Sequence, residues 1–260
     1  MSKFVDKLVK LSRASGPAIG FKQSVATRRL SMLLAVEVSS SDLSAARDAV
    51  AVGIDALVVR IDSMIGQTSV LEDAAKLAGD TGWGVHINKL GPDDASALRE
   101  HGCDLLILSD LVVPVTVLSA GGLGKILSVD PQWSDGLIRS LGHMALDALL
   151  LDTDDNEAPW LSLHHLVLCH RLASLSPKPI LVSVLPGLDS SSLQALHSIG
   201  VEGILLKHKA GATVDLLQKT RQDVDALPAY RGRGKSIAIL PRVEVVTPAE
   251  SEEEEEEEEE

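Results

Sequence analysis

The chain has 260 residues, of which 45% are hydrophobic, 23% charged and only 2% aromatic, and its formal net charge is −13. Glu252 to Glu260 are nine consecutive glutamates; without them 28 acidic residues stand against 24 basic ones, a balance of −4. An ordinary apolar fraction excludes a wholly disordered chain, and the length suits one α/β barrel of about 250 residues. A mildly acidic body with three Trp, one Tyr and two Phe lacks the basic face and stacking platforms of a nucleic-acid binder. No window approaches the roughly 18 uninterrupted apolar residues of a membrane helix.

In chain order, Phe4, Val5, Leu8, Val9 and Leu11 are spaced as on one helix face and interrupted by Asp6, Lys7 and Lys10. That predicts a short amphipathic helix packed on the body, not a signal peptide. It opens an N-terminal extension, residues 1–29, with a Gly16-Pro17 turn and a basic pair, Arg28-Arg29. Eight short apolar runs follow, at 31–38, 55–61, 83–87, 104–109, 124–129, 147–152, 179–184 and 202–207. Helix-like segments separate most of them, at 42–52, 68–79, 92–101, 132–143, 159–175 and 189–198, with a last one at 212–226. The connection after the fourth run is the exception, because Pro114 and its β-branched residues oppose a long helix.

One phrase recurs, in which a glycine ends a helix and an acid precedes an apolar strand. It reads Gly53-Ile54-Asp55, Gly102-Cys103-Asp104 and Gly200-Val201-Glu202, with a looser copy around Asp147. Glycine tolerates the left-handed conformation that ends a helix, and strands without a polar face suit a parallel sheet covered on both sides. The pattern predicts a (β/α)8 TIM barrel over 30–227, with an open doubly wound sheet as the alternative. Val38-Ser39-Ser40-Ser41-Asp42 is not the glycine fingerprint that an open nucleotide-binding sheet would carry after its first strand.

Beyond the barrel come a C-terminal arm at 228–250, carrying Arg231, Arg233, Lys235 and Arg242, and an acidic tail at 251–260. The tail cannot bury apolar surface and repels itself, which predicts disorder. Residues 1–29 and 229–246 are apolar enough to dock on a second copy, so a homo-oligomer built through these extensions is expected. Cys103 and Cys169 are too few for a disulfide framework or a zinc ribbon, and predict free buried thiols in a reducing cytoplasm.

Barrel enzymes place their chemistry at the carboxyl ends of the strands. Here the runs end in Glu37; Arg60 and Asp62; His86, Asn88 and Lys89; Ser109 and Asp110; Ser128 and Asp130; Asp152; Ser183; and Lys207 with His208. Glu37, Arg60, His86, Asp152 and Lys207 lie inside the strands, where a charge is expensive unless it is used or paired. The candidate catalytic residues are therefore Glu37, His86, Asp152 and Lys207, and the candidate substrate-binding residues include Arg60 and Asp130. His164, His165, Cys169 and His170 invite a metal reading, but Leu163, Leu166, Val167 and Leu172 mark that helix as packing. Gly121-Gly122-Leu123-Gly124 enters a strand and reads as a tight turn.

The stretch Val182-Ser183-Val184-Leu185-Pro186-Gly187-Leu188-Asp189, followed by Ala195 to Leu205, resembles the last two units of phosphate-binding TIM barrels. That group includes the tryptophan-biosynthesis barrels and their relatives. The resemblance implies that Gly187, in Pro186-Gly187-Leu188, and Gly211, in Lys209-Ala210-Gly211-Ala212, belong to loops that hold a substrate phosphate. It covers about a quarter of the chain; a Pro-Gly pair replaces the group's Gly-Gly, and Asp152 stands where Schiff-base aldolases carry lysine.

Three chemistries can use these groups. The first is proton transfer on a small anionic, phosphorylated or carboxylated metabolite, with His86 or Glu37 as base, Arg60 on the anion and Lys207 stabilising negative charge. This is lyase or isomerase chemistry. The second is a magnesium ion held by Glu37, Asp130 and Asp152, and the third a Schiff base on Lys207. The alternative to all three is a non-catalytic barrel, a binding or assembly module whose mouth is closed by ion pairs among Glu37, Arg60, Asp152 and Lys207. No nucleotide fingerprint is present to name a cofactor.

Overall fold

The computed structural model describes residues 2–13, 31–152, 161–208 and 213–229. The expectations placed on the C-terminal arm, the acidic tail, Gly211 and most of the N-terminal extension fall outside them.

The apolar runs become the strands β1 (Leu33–Ser39), β2 (Ala56–Ser63), β3 (Gly82–Lys89) and β4 (Leu105–Leu108), then β5 (Gly124–Val129), β6 (Ala148–Leu151), β7 (Ile180–Val184) and β8 (Gly203–Lys207). Each pairs in parallel with the next, and β8 returns to β1 through Leu33↔Gly203 up to Glu37↔Lys207. The sheet is thus closed, which excludes the open alternative. After an N-terminal helix α1 (Lys3–Arg13), the connecting helices are α2 (Ser44–Val52), α3 (Thr68–Ala78), α4 (Asp94–Glu100), α5 (Thr116–Ser119), α6 (Asp135–Leu141), α7 (Leu163–Leu175), α8 (Ser190–Ser198) and α9 (Val214–Ala226). The single turn of α5 is all the helix that follows Pro114, as its composition predicts.

Period-two alternation divides each strand between two cores. Val36, Val38, Leu57, Val59, Leu106 and Leu108 face outward onto the helices, meeting Ala46, Ala49, Leu71 and Leu98. Leu33, Ala35, Ala56, Val58, Leu105, Ile107, Ile126, Ala148, Leu150, Leu181 and Leu205 fill the barrel interior.

Helix α1 closes the amino-terminal end of that interior. Its apolar stripe supplies Phe4, Val5 and Leu8 to the inner core. Asp104 holds the start of the helix, accepting from the amides of Lys3 (2.8 Å) and Phe4 (3.1 Å) and from the Ser2 hydroxyl (2.9 Å). These are amides that a helix cannot satisfy internally, and a carboxylate there also opposes the helix dipole. At the foot of β5, a Cβ on Gly124 would stand 2.5 Å from Cγ2 of Val5 and 2.8 Å from the Ser2 hydroxyl, so the bare glycine is what admits α1.

The recurring glycine–acid phrase marks the even-numbered strands only, and it builds one joint four times. Asp55, Asp104, Asp147 and Glu202 each donate a backbone amide to the preceding strand, at the carbonyls of Leu34, Trp83, Lys125 and Ile180 (2.7–3.0 Å). At three of these joints the side-chain carboxylate accepts the amide of the same residue, Leu34 at 3.0 Å, Lys125 at 2.8 Å and Ile180 at 2.8 Å. At the remaining joint the Asp104 carboxylate is turned to α1. Asp55 also pairs with Lys7 of α1 (2.8 Å) and Arg221 of α9 (3.1 Å). No helix among the described residues is long and apolar enough to cross a membrane.

Candidate active site at the carboxyl ends of the strands

The same parity that sends Leu33 and Ala35 inward sends Glu37 inward above them. Arg60 stands likewise above Ala56 and Val58, Asp152 above Ala148 and Leu150, and Lys207 above Leu205. On β3 the interior positions are Gly82, Gly84 and then His86. A Cβ on Gly84 would stand 2.5 Å from the Leu105 Cβ, so Leu105 fills the space below the imidazole.

These five residues form one connected group. Nδ1 of His86 lies 2.5 Å from Oε2 of Glu37, and both side chains are buried. Arg60 Nη1 donates to Glu37 Oε1 at 3.2 Å and stands 3.4 Å from Nδ1 of His86. Because an ionised carboxylate can only accept, the 2.5 Å contact with Glu37 puts a proton on Nδ1. Nε2 is therefore the nitrogen left for chemistry, and it is buried with no hydrogen-bond partner among the described residues. Across the barrel Lys207 Nζ lies 2.7 Å from Asp152 Oδ1, while Arg60 Nη1 lies 3.7 Å from Asp152 Oδ2. Burial is graded: the Glu37 and Lys207 side chains are 6% and 8% exposed, against 22% for Asp152 and 39% for Arg60. The two cations and two carboxylates balance, so a neutral imidazole leaves the group without net charge.

Two residues further up the strands runs a polar ladder. Asn88 Nδ2 donates to Asp62 Oδ1 at 3.2 Å, and the Ser109 hydroxyl donates to Asn88 Oδ1 at 2.7 Å. It joins the ends of β2, β3 and β4 on one side of the mouth.

The remaining candidates lie elsewhere. Asp130 is exposed, and its carboxylate accepts the Gln132 amide at 2.7 Å, closing a local turn. That loop is clamped by Arg171 of α7, which donates to the carbonyls of Pro131 (2.7 Å) and Trp133 (2.5 Å) and to the Asp135 carboxylate (2.9 Å). Nothing in the local sequence pointed to Arg171, some forty residues downstream. Gly187 is exposed with φ +99°, a left-handed turn that glycine permits. The start of α8 beyond it already carries Asp189, whose carboxyl the hydroxyls of Ser191 and Ser192 hold below the usual range. Glu37, Asp130 and Asp152 do not converge: among the described residues no group of three His, Cys, Asp or Glu is placed to hold a metal ion. A Schiff base would require Lys207 to leave its pair with Asp152. On α7, His165 serves the helix itself, its Nδ1 accepting the Ser162 amide at 3.1 Å in a capping box, while Cys169 is buried beside the sheet.

No family model matches the chain, and no curated protein matches it. Solved structures similar to it include ligand-free tryptophan synthase from M. tuberculosis, 16% identical, with a TM-score of 0.59, covering 89% of this chain and 100% of that one. A mutant tryptophan synthase alpha-subunit from the hyperthermophile Pyrococcus furiosus is 11% identical, with a TM-score of 0.59 and coverage of 76% and 99%. The native KDPGal structure is 16% identical, with a TM-score of 0.54 and coverage of 79% and 95%. At such identities the likeness is one of fold. The resemblance to the tryptophan-biosynthesis barrels carried by residues 182–205 thus extends, distantly, to the barrel as a whole.

Proposed function

We propose that the carboxyl-end mouth of this barrel is an active site that moves a proton on a small anionic metabolite, in lyase or isomerase chemistry. The observation that carries the proposal is the buried imidazole of His86, with Nδ1 tied to Glu37 at 2.5 Å and Nε2 left without a partner among the described residues. A carboxylate on one ring nitrogen fixes the tautomer and stabilises the imidazolium that forms when the other nitrogen takes a proton. In this reading Nε2 of His86 removes a proton from the substrate, and the electron pair moves onto an adjacent oxygen that the Lys207 ammonium stabilises. The imidazolium then returns its proton elsewhere on the substrate, or the electron pair expels a leaving group. Arg60, the most exposed member, takes an anionic group of the substrate. Gly187 and Gly211 are assigned to a phosphate of that substrate by resemblance alone.

The test is a panel of phosphorylated and carboxylated metabolites incubated with the protein in deuterated water. At least one should exchange a carbon-bound proton with wild-type protein, and none should do so with His86→Asn. A folded wild-type protein that exchanges nothing across a broad panel would sink the reading. Crystals soaked in phosphate or sulfate test the finer assignment, which fails without an anion near Gly187 and Gly211.

The charge balance of the group favours a second reading, in which the ion pairs close the mouth of a non-catalytic barrel. Lys207→Ala separates the two. A structural plug loses about 3–5 kcal/mol when one buried partner is removed, whereas catalytic groups are often lost without a stability penalty.

A further inference from the structure

We infer that Asp152 is a built-in surrogate ligand, its carboxylate occupying the place between Arg60 and Lys207 that an anionic group of the substrate takes on binding. The inference rests on the functional reading above and names how its anion site is gated.

The two carboxylates of the group are held differently. Glu37 lies within β1, with His86 at 2.5 Å and Arg60 at 3.2 Å, and it is buried. Asp152 stands just past the last residue of β6, outside the hydrogen-bonded ladder. It offers one oxygen to each cation, Oδ1 to Lys207 at 2.7 Å and Oδ2 to Arg60 at 3.7 Å. The longer of these contacts joins the two most exposed members of the group. Glu37 is thus part of the frame, and Asp152 is the carboxylate that can give way from the solvent side.

Charge decides what replaces it. Moving Asp152 aside takes from the buried Lys207 ammonium its carboxylate at 2.7 Å and from the Arg60 guanidinium one of its two carboxylates, a loss that burial makes costly. An incoming carboxylate or phosphate restores the balance, and a neutral ligand does not. The guanidinium fork can then receive two oxygens of such a group, where it now meets Asp152 at 3.7 Å. The mouth is therefore selective for anions by exchange: affinity for the substrate is set by competition with a carboxylate of the protein's own.

Isothermal titration with inorganic phosphate and with malonate, at fixed ionic strength, tests this on wild-type protein and on Asp152→Asn, which preserves shape and removes charge. Asp152→Asn should bind at least ten-fold more tightly than wild type, and adding Arg60→Gln should abolish the gain. Equal or weaker binding by a folded Asp152→Asn overturns the surrogate role while leaving the anion site standing. If neither protein binds either anion, the anion site fails with it. Should Asp152→Asn not fold, phosphate can be titrated into wild-type protein while the Asp152 carboxyl carbon and the Arg60 and Lys207 side-chain nitrogens are followed by NMR. All three should shift together, and saturation with the Asp152 carboxyl carbon unmoved overturns the inference.

Discussion

Glu37 and His86 sit two strands apart, yet their side chains meet at 2.5 Å with the Arg60 guanidinium on both of them. The barrel's stagger makes this possible, since Glu37 pairs with Val58 in register while His86 pairs with Arg60. Removing the carboxylate leaves a buried imidazole N–H without its acceptor and takes from Arg60 one of its two carboxylates. Glu37→Ala should therefore cost about 3–5 kcal/mol. Glu37→Gln keeps an acceptor oxygen and should cost only about 1 kcal/mol. Urea unfolding of the two variants beside wild type measures both, and an Ala variant as stable as the Gln variant would contradict the arrangement.

The inner core depends on α1. Phe4→Ala opens a cavity where the helix seals the interior, with an expected loss of about 3–5 kcal/mol. Gly124→Ala places a methyl group against Val5 and Ser2 and should unseat the same helix without touching the mouth. Hydrogen exchange in Gly124→Ala should rise over residues 3–13 and stay unchanged at β1 to β3. A uniform rise across the barrel would show that α1 is not a separable plug.

His208 follows β8 with its side chain buried, and its Nδ1 has no partner among the described residues. Burial pushes its imidazole below the ordinary 6.5, against an opposing pull from Asp42 and Asp48. The unfolded chain then binds the proton more readily than the folded one. The contribution is full above about pH 6.5 and is lost as the pH falls toward the lowered folded value. His208→Gln should flatten the fall in urea midpoint between pH 7 and pH 5. An unchanged slope would assign it to other groups.

Burial pushes the Cys103 and Cys169 thiols up to about 12. A thiol so seldom ionised is a poor nucleophile. Neither should react with a thiol reagent at pH 8 in the folded protein, and both should react once it is unfolded in urea. Labelling of the native protein by mass spectrometry checks this directly.

Most of the barrel was legible because parallel strands buried on both faces have to be written as apolar runs. The expected 31–38 and 55–61 fall within two residues of Leu33–Ser39 and Ala56–Ser63. The cost of a charge inside a strand also singled out Glu37, Arg60, His86, Asp152 and Lys207, which the structure gathers into one group. Their mutual distances were not legible, because they depend on how far each strand slides against the next around a closed sheet. Asp130 shows the limit. It has the same parity and the same strand-end position, but Arg171, arriving from another helix, fixes a turn in which Asp130 binds its own loop. The floor was hidden for a similar reason: α1 was legible as a helix, while the Asp104 that seats it lies a hundred residues on.

The four joints at Asp55, Asp104, Asp147 and Glu202 bear on how the barrel keeps its stagger. Each sits before an even-numbered strand and fixes that strand's slide against the one before it. At three of them a carboxylate adds a second tie to the same residue. At the fourth the Asp104 carboxylate holds the N-terminal helix while its backbone amide keeps the tie to Trp83. The slide set at one end of the sheet governs which side chains meet at the other, where Glu37, Arg60, His86, Asp152 and Lys207 come together.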